Sequence, residues 1–196
     1  MAAYKVNEMF YSLQGEGRWA GRPAVFVRFS GCNLRCPFCD TDFSGYEEMG
    51  AADILKRAEQ LGGDCRFVVL TGGEPTLQVD DELTALFHAH GYFLSMETNG
   101  THRIPGGIDW VTCSPKHIFV GNAEPFIKKA DELKIVFDGL CEPDCHGIEA
   151  SYHYIQPCDV GDQEKNKDIM GKAVDYVKRH PEWSLSLQLH KLLGIS

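Results

Sequence analysis

Short apolar runs rich in β-branched and aromatic residues recur along the chain and alternate with segments of helical period. The runs are bounded by glycine, proline or polar residues, which is typical of strands. They predict six strands, at residues 24–29, 66–70, 92–96, 109–112, 132–137 and 152–155. Helical patterns predict helices at 51–61, 80–90 and 167–179, which end at Gly62-Gly63, at Gly91 and before Pro181.

Nearly continuous hydrophobicity in these strands, with helices between them, predicts a parallel sheet covered by helices, which is the α/β class. A complete eight-fold barrel typically needs about 250 residues, whereas this chain has 196. We therefore expect an incomplete, open (β/α) barrel of mostly parallel strands. The chain shows no repeat, low-complexity tract or long linker, so residues 1–196 are predicted to form a single domain.

The net charge of -9 weighs against nucleic acid as a partner, because binding to a phosphate backbone depends largely on lysine and arginine. The apolar runs are too short to cross a bilayer, and the N-terminus lacks the pattern of a signal peptide. We expect a cytoplasmic protein with neither a nucleic-acid nor a membrane partner. In that compartment its eight cysteines stay reduced and are available as ligands or buried groups.

Three of the cysteines, Cys32, Cys36 and Cys39, lie within GCNLRCPFCD (residues 31–40), directly after the first predicted strand. Three thiolates on one loop can ligate Zn²⁺ or three irons of a 4Fe-4S cluster. A structural zinc site normally has four protein ligands, whereas a cluster with three can leave one iron open for another molecule. A further group is an incomplete match to a metal site: Cys141, Cys145 and His146. The remaining cysteines are predicted to be buried small hydrophobic residues: Cys65, Cys113 and Cys158.

Two polar motifs also follow predicted strands, TGGEP at residues 71–75 and ETNG at residues 97–100. Parallel-sheet enzymes place their active sites at the carboxyl ends of strands, so both motifs are expected near the cysteines. Gly72 and Gly73 allow backbone conformations and a close approach that a Cβ would block. That freedom suits contact with a ligand, and it equally suits an ordinary strand-to-helix turn.

The aromatic Phe38 before Cys39 and the Gly72-Gly73-Glu74-Pro75 element make the chain resemble the radical S-adenosylmethionine (SAM) superfamily. The resemblance implies that the three cysteines hold a 4Fe-4S cluster whose open iron binds SAM, and that reductive cleavage of SAM gives a 5'-deoxyadenosyl radical. It also implies a set of SAM-binding residues: Phe38, Cys39, Asp40, Gly73, Glu74, Glu97, Asn99, Ser114, Pro115 and Lys116.

A narrower resemblance covers nearly the whole chain. It rests on FYSLQGEG (10–17), Asp40-Thr41, METNG (96–100), CSPK (113–116) and LQLHKLLGI (187–195), which together are similar to the 7-carboxy-7-deazaguanine synthases. That family implies a carbon-nitrogen lyase that contracts the ring of 6-carboxy-5,6,7,8-tetrahydropterin to 7-carboxy-7-deazaguanine with loss of ammonia. The product serves the biosynthesis of queuosine, a tRNA modification, and of other deazapurines.

The same resemblance implies cofactors, partners and substrate contacts. Mg²⁺ is expected at Thr41, the electron donor is expected to be a reductant protein such as a flavodoxin, and the chain is expected to form a homodimer. No acid or base pair is predicted to act in catalysis. The implied substrate-binding residues are Leu13, Gln14, Gly15, Glu16, Arg28, Thr71, Gln188, His190 and Ser196.

Two other functions share part of the pattern. A radical SAM activase, which abstracts hydrogen from a glycine of a partner protein, would share the cysteines and the GGEP element but would not need the LQGEG segment or Thr41. A zinc-stabilised binding module without catalytic activity would need only the cysteines. Metal analysis under anaerobic conditions and an assay with the pterin separate these possibilities.

Overall fold

The computed structural model describes residues 3–39, 41–42 and 45–195. Nine strands in this part of the chain form one sheet. They are β1 (Tyr4–Leu13), β2 (Pro23–Phe29), β3 (Glu47–Met49), β4 (Phe67–Gly72), β5 (Phe93–Thr98), β6 (Trp110–Cys113), β7 (Lys129–Phe137), β8 (Glu149–Pro157) and β9 (Trp183–Leu185). Their order across the sheet is β3-β1-β2-β4-β5-β6-β7-β8-β9.

Most strand pairs in this sheet are parallel. Every neighbouring pair from β2 to β9 runs parallel, while β1 is antiparallel to both β2 and β3. Strands β3 and β9 form the two edges, so the sheet is not closed. The predicted α/β fold, an open and incomplete barrel of mostly parallel strands, is confirmed.

In the described part of the chain, four α-helices accompany the sheet: α1 (Ala51–Gly62), α2 (Asp81–Ala89), α3 (Gln163–Arg179) and α4 (Leu189–Leu193). The first three confirm the predicted helices. Helix α3 begins before the predicted start at residue 167 because the Asp162 side chain accepts hydrogen bonds from the backbone N–H groups of Glu164 and Lys165. Within the described residues, no helix has both the length and the apolar character needed to span a membrane.

Alternate residues of the parallel strands face two different environments. On β2, Val25 and Val27 pack into the core formed with α1 and α2. The intervening Phe26 and Arg28 line a cavity on the opposite face of the sheet. Strands β4, β5 and β7 alternate in the same way, so the helices cover one face and the other face is left for a ligand.

Four elements were not predicted: β1, β3, β9 and α4. Strand β1 was missed because its sequence, YKVNEMFYSL, mixes polar residues with apolar ones and lacks a continuous hydrophobic run. The strands β3 and β9 have three residues each, and α4 has five. Elements this short leave little periodic signal.

Candidate active site

A cavity of about 910 Å³ lies at the carboxyl ends of the parallel strands, on the face of the sheet opposite α1 and α2. Its walls come from the ends of β2, β4, β5, β7 and β8, from the loop after β2, and from the C-terminal segment around α4. Open α/β sheets bind their ligands at this position. The cavity is therefore the candidate active site.

The cysteine loop, residues 31–39, follows β2 and carries three free thiols that all line the cavity: Cys32, Cys36 and Cys39. Burial raises the pKa of the Cys32 and Cys36 thiols. Both thiols are therefore protonated at neutral pH, and a metal that binds them must displace the protons. In the described part of the chain, no three Cys, His, Asp or Glu side chains are grouped as a site for a single metal ion.

Gly72 and Gly73 bring the end of β4 into backbone contact with the start of the cysteine loop. The Gly73 N–H donates to Phe29 O at 3.0 Å, and the Glu74 N–H donates to Gly31 O at 2.9 Å. A Cβ at Gly73 would lie 1.9 Å from Gly31 O, and Gly72 has a φ of +120°, which residues with a Cβ rarely adopt. The glycine pair thus allows the two loops to pack, and Gly73 also lines the cavity.

Glu74, in the same motif, is fully buried outside the cavity lining. Its carboxylate accepts hydrogen bonds from Thr76 N at 3.1 Å, Thr76 Oγ1 at 2.6 Å, Thr98 Oγ1 at 2.7 Å and Asn99 N at 2.8 Å. The bonds from Thr98 and Asn99 join the end of β4 to the end of β5, and the two bonds from Thr76 hold the turn that follows Glu74. Glu74 therefore has a structural role, and its predicted contact with SAM stays a prediction.

Asn99 and Lys116 place polar groups beside the cysteine loop. Asn99 Nδ2 donates to Asn33 Oδ1 of that loop at 3.0 Å. Lys116 Nζ donates to Ser114 O at 2.6 Å and to Ser114 Oγ at 2.5 Å. Burial, and next the nearby charge of Lys134, lowers the pKa of Lys116. A bound anion would stabilise the ammonium form, so this part of the cavity favours an anionic ligand.

Glu16, Glu97 and Lys134 form a charged cluster in the cavity wall. Lys134 Nζ donates to Glu97 Oε2 at 2.8 Å and also to Glu16 Oε2. Burial opposes the charge on Glu16, but the charge and hydrogen bond of Lys134 outweigh it and lower the Glu16 pKa to about 2. Burial likewise opposes the charge on Lys134, yet the adjacent carboxylates hold its pKa above the ordinary value. Glu16 and Lys134 are therefore both ionised at neutral pH.

Two glutamines add hydrogen bonds to this charged cluster. Gln14 Nε2 donates to Glu97 Oε1 at 3.1 Å, and Gln188 Nε2 donates to Glu16 Oε1 at 3.1 Å. Each carboxylate thus has an ammonium on one oxygen and an amide on the other. The arrangement fixes both carboxylates in position while leaving lone pairs for a ligand.

Glu132 lies two residues before Lys134 on the same face of β7 and is 2% exposed. Its Oε2 accepts a hydrogen bond from Arg18 N at 2.9 Å, and a Cβ at Gly17 would lie 1.9 Å from its Oε1. The turn after β1 therefore packs directly on this carboxyl. Burial, and next the charge of Glu97, raises the pKa of Glu132 to about 7.

Known proteins resemble this chain over nearly its full length. The family model of the Radical SAM superfamily matches residues 26–118. The 7-carboxy-7-deazaguanine synthase of Bacteroides thetaiotaomicron is 44% identical over 97% of this chain and 98% of that protein. The protein of the same name from Bradyrhizobium diazoefficiens is 41% identical over 98% of this chain and 99% of its own length. This chain belongs to the 7-carboxy-7-deazaguanine synthase family.

A solved structure agrees with this family assignment. The crystal structure of QueE from Escherichia coli matches with a TM-score of 0.74 and 28% sequence identity, covering 95% of this chain and 94% of that one. The Radical SAM superfamily implies SAM and a 4Fe-4S cluster as cofactors. The residues fit that cluster, because three thiols of one loop face a cavity with room for a ligand beside them.

The structure brings most of the site residues predicted for a 7-carboxy-7-deazaguanine synthase to this one cavity. The lining includes Leu13, Gln14, Gly15, Glu16, Arg28, Cys32, Cys36, Phe38, Cys39, Thr41, Thr71, Gly73, Glu97, Asn99, Ser114, Lys116, Gln188 and His190. Pro115, like Glu74, is buried outside the lining. Asp40 and Ser196 lie outside the described residues. The roles predicted for all these residues stay predictions.

Arg28 contacts two residues at the edge of this synthase-family cavity. Its Nε donates to Glu8 Oε1 at 2.7 Å, which is the salt bridge of a partly exposed arginine. Its Nη1 lies 3.3 Å from Thr41 Oγ1, and both residues line the cavity. The guanidinium is therefore held by Glu8 with one side toward the residue predicted to meet Mg²⁺.

The C-terminal segment closes one side of the cavity. Leu189 N donates to Gly15 O at 3.0 Å, and a Cβ at Gly15 would lie 2.6 Å from His190 Nδ1. Lys191 Nζ donates to Asp159 Oδ2 at 2.9 Å, which joins the segment to the loop after β8. The LQGEG and LQLHK motifs of the synthase family thus contact each other directly.

Sequence reasoning missed Lys134 and Glu132, although both lie within the predicted strand 132–137. The available signal was two charged residues at alternate positions of an otherwise apolar strand, since a period of two places them on one face. Cys113 is fully buried, as predicted, and Cys65 is partly buried. Cys158 is buried but also lines the cavity, which its sequence context did not indicate.

Proposed function

We propose that this chain is a carbon-nitrogen lyase that converts 6-carboxy-5,6,7,8-tetrahydropterin to 7-carboxy-7-deazaguanine, with ring contraction and loss of ammonia. One observation carries the proposal: a single cavity holds both the three thiols of the cysteine loop and the charged cluster. Radical chemistry on a heterocycle needs the cofactor and an oriented substrate in one enclosed space. The names of the relatives support the same activity.

We assign the cofactors to the part of the cavity near the cysteine loop. When bound, a 4Fe-4S cluster and SAM supply a 5'-deoxyadenosyl radical, which no side chain can provide. Cys32, Cys36 and Cys39 hold the cluster. Lys116, with its lowered pKa and its hydrogen bond to Ser114, suits the methionine carboxylate of SAM.

The substrate occupies the part of the cavity formed by the charged cluster and Arg28. The aminopyrimidine edge of a pterin presents N–H donors, and Glu16 and Glu97 present acceptors that two glutamines hold in place. Glu97, expected above among the SAM-binding residues, is assigned here to the substrate because it shares Lys134 with Glu16. Arg28 and Thr71 pair across β2 and β4 and both line the cavity. Arg28 offers the planar guanidinium that recognises a carboxylate. The pterin is thus oriented with its ring edge toward the charged cluster and its carboxylate toward Arg28.

Mg²⁺ at Thr41 is part of the same proposal. The Thr41 hydroxyl lies beside Arg28 in the cavity wall. One hydroxyl is a weak ligand for an octahedral ion, but Mg²⁺ commonly completes its shell with substrate oxygens and water. The site therefore fits Mg²⁺ only when the substrate carboxylate is present. Chelation followed by addition of Mg²⁺ is expected to remove and restore most of the activity.

The test is anaerobic reconstitution with iron and sulfide, followed by incubation with SAM, Mg²⁺, dithionite and 6-carboxy-5,6,7,8-tetrahydropterin. We expect 7-carboxy-7-deazaguanine, identified by mass spectrometry and ultraviolet absorbance. Cys36→Ala is expected to form no product because the cluster loses one of its three ligands. Cys65→Ala is the matched control, since Cys65 lies outside the cavity lining, and it is expected to retain activity.

The same experiment identifies the other two candidate functions. Protein that carries a full cluster and cleaves SAM, yet leaves the pterin unchanged, would refute the proposed reaction, and a glycyl radical on a partner protein would then identify an activase. Protein that takes up zinc but no iron or sulfide would remove the radical mechanism. Product formation by Cys36→Ala would contradict the role of the cysteine loop.

The proposal extends to the setting in which the protein works. A single domain of 196 residues, located in the cytoplasm, acts on this small-molecule substrate as a homodimer and receives electrons from a reductant protein such as a flavodoxin. Sedimentation of the purified protein tests the dimer. Replacement of dithionite by reduced flavodoxin tests the electron donor.

A further inference from the structure

Lys134 is a charged residue in the middle of an apolar strand. Its neighbours Leu133 and Ile135 are buried in the core with α3. Its own side chain faces the cavity and is 5% exposed. An ammonium without partners at such a depth would lose its proton or destabilise the strand. Its charge therefore depends on Glu16 and Glu97.

These two carboxylates reach Lys134 from separate elements. Glu97 lies on β5, which β6 separates from β7, and Glu16 follows β1. One ammonium joins both, at 2.8 Å to Glu97 Oε2 and by a hydrogen bond to Glu16 Oε2. Without it, two like charges would face each other in a buried space, with the Glu132 carboxyl close by. Lys134 thus sets the positions of both carboxylates.

We propose that Lys134 is a positioning residue for substrate recognition, because it fixes Glu16 and Glu97 as an ordered pair of acceptors for the N–H donors of the pterin's aminopyrimidine edge. This inference rests on the proposed function, since it requires a pterin in the same cavity. Two carboxylates against one ammonium leave one formal negative charge. A donor edge satisfies that charge, whereas a ring edge that presents oxygen instead of an amino group is repelled.

The test measures the binding of two fluorescent heterocycles to cluster-free protein, so that it does not depend on catalysis. One is 6-carboxypterin, and the other is 6-carboxylumazine, in which an oxygen replaces the 2-amino group. Wild-type protein is expected to bind the pterin at least about tenfold more tightly than the lumazine, because buried polar groups reject a ligand that leaves them unpaired. Lys134→Met is expected to weaken pterin binding by about tenfold or more and to remove most of the preference.

A variant that keeps the positive charge shows whether Lys134 acts by positioning the carboxylates or only by filling space. Lys134→Arg keeps a cation between the two carboxylates and is expected to retain most of the preference for the pterin. Lys172→Met, which removes only an ion pair with Asp168 on the exposed side of α3, is the control and is expected to bind both ligands as the wild type does. If the Met and Arg variants have the same preference, the charge of Lys134 is not what positions the acceptors.

Thermal unfolding is measured for every variant. If Lys134→Met does not fold, the double variant Glu97→Gln with Lys134→Met removes one of the unpaired carboxylates, and it is expected to fold and to lack the preference. Wild-type preference in either folded variant overturns the inference. If the wild-type protein binds neither heterocycle, both the proposed function and the inference are overturned. If the wild type prefers the pterin and Lys134→Met prefers it equally, only the inference is overturned.

Discussion

The cysteine loop and the charged cluster line one cavity but come from different parts of the fold. The three thiols belong to a single loop of nine residues, 31–39, and two of them have a pKa raised by burial. The charged cluster takes Glu97 and Lys134 from strands of the sheet and Glu16 from the turn after β1, and ions of opposite charge meet there. The cysteine loop therefore supplies ligands for a metal, whereas the ions of the charged cluster already pair with one another in the folded chain.

This difference separates two ways of making a binding site. A loop places several ligands of one kind close together, and the metal supplies the energy that orders them. A sheet places unlike groups from distant positions in fixed register, and their mutual attraction compensates for their burial. Substitutions in the two regions are therefore expected to differ in what they disturb: metal uptake in the cysteine loop, and charge balance in the charged cluster.

The largest effect on stability is expected from Glu74→Ala, beneath the cysteine loop. The substitution removes the acceptor of two buried donors, Thr98 Oγ1 and Asn99 N, and of two partly buried donors of Thr76. The free energy of unfolding is expected to fall by about 3–5 kcal/mol, measured by urea denaturation. Glu59→Ala, on the exposed face of α1, is the control. If Glu74→Ala lowers the free energy of unfolding no more than the control does, the structural role assigned to Glu74 is wrong.

A second substitution tests the backbone contact of the cysteine loop directly. Gly73→Ala would place a Cβ 1.9 Å from Gly31 O, so the loop must move, at a cost of about 3 kcal/mol. Because the loop moves, the iron content of Gly73→Ala after reconstitution is expected to fall. Binding of 6-carboxypterin by the cluster-free variant is expected to stay near that of the wild type. Gly121→Ala, where a Cβ would meet no atom within 4 Å, is the matched control. Normal iron uptake by Gly73→Ala would contradict the role assigned to this contact.

The smallest effect is expected at Glu132, next to the charged cluster, and it depends on pH. Its pKa is raised from 4.5 to about 7 in the folded protein, so the folded state binds the proton more tightly than the unfolded state. The stability from protonated Glu132 is therefore fully present below pH 4.5 and is lost as the pH rises to about 7. Glu132→Gln keeps an acceptor for Arg18 N and removes this dependence.

We expect Glu132→Gln to be more stable than the wild type by about 2–3 kcal/mol at alkaline pH and nearly equal to it at acidic pH. Thermal unfolding across the pH range measures the difference. The same difference at every pH would mean that Glu132 does not change its protonation in this range.

The sequence was most informative where chemistry is local. Cys32, Cys36 and Cys39 are close in the chain, so their spacing alone indicates a shared ligand. The strands of the parallel sheet could be predicted because burial on both faces makes their hydrophobicity nearly continuous. Strand β1 was not predicted because it pairs antiparallel near the edge of the sheet and tolerates polar residues at alternate positions.

The charged cluster could not be predicted as a unit. Residues 16, 97 and 134 are far apart in the chain, and only the strand order brings them together. Glu16 and Glu97 were identified through motifs, whereas Lys134 lies outside every motif. The pairing of charges depends on register and burial, which a pattern along the chain does not contain. Glu74 shows the converse: its motif was recognised, but four hydrogen bonds give it a structural role that the motif did not reveal.

The contact of Gly73 with Gly31 has a consequence for how the enzyme is made in the cell. Two backbone hydrogen bonds that need no metal join this region to the end of β4: Gly73 N donates to Phe29 O at the end of β2, and Glu74 N donates to Gly31 O at the start of the cysteine loop. The base of the loop is therefore fixed when β2 and β4 pair, and the polypeptide offers its three thiols from an anchored position. Iron and sulfide therefore have only the rest of the loop to order when the cluster is inserted.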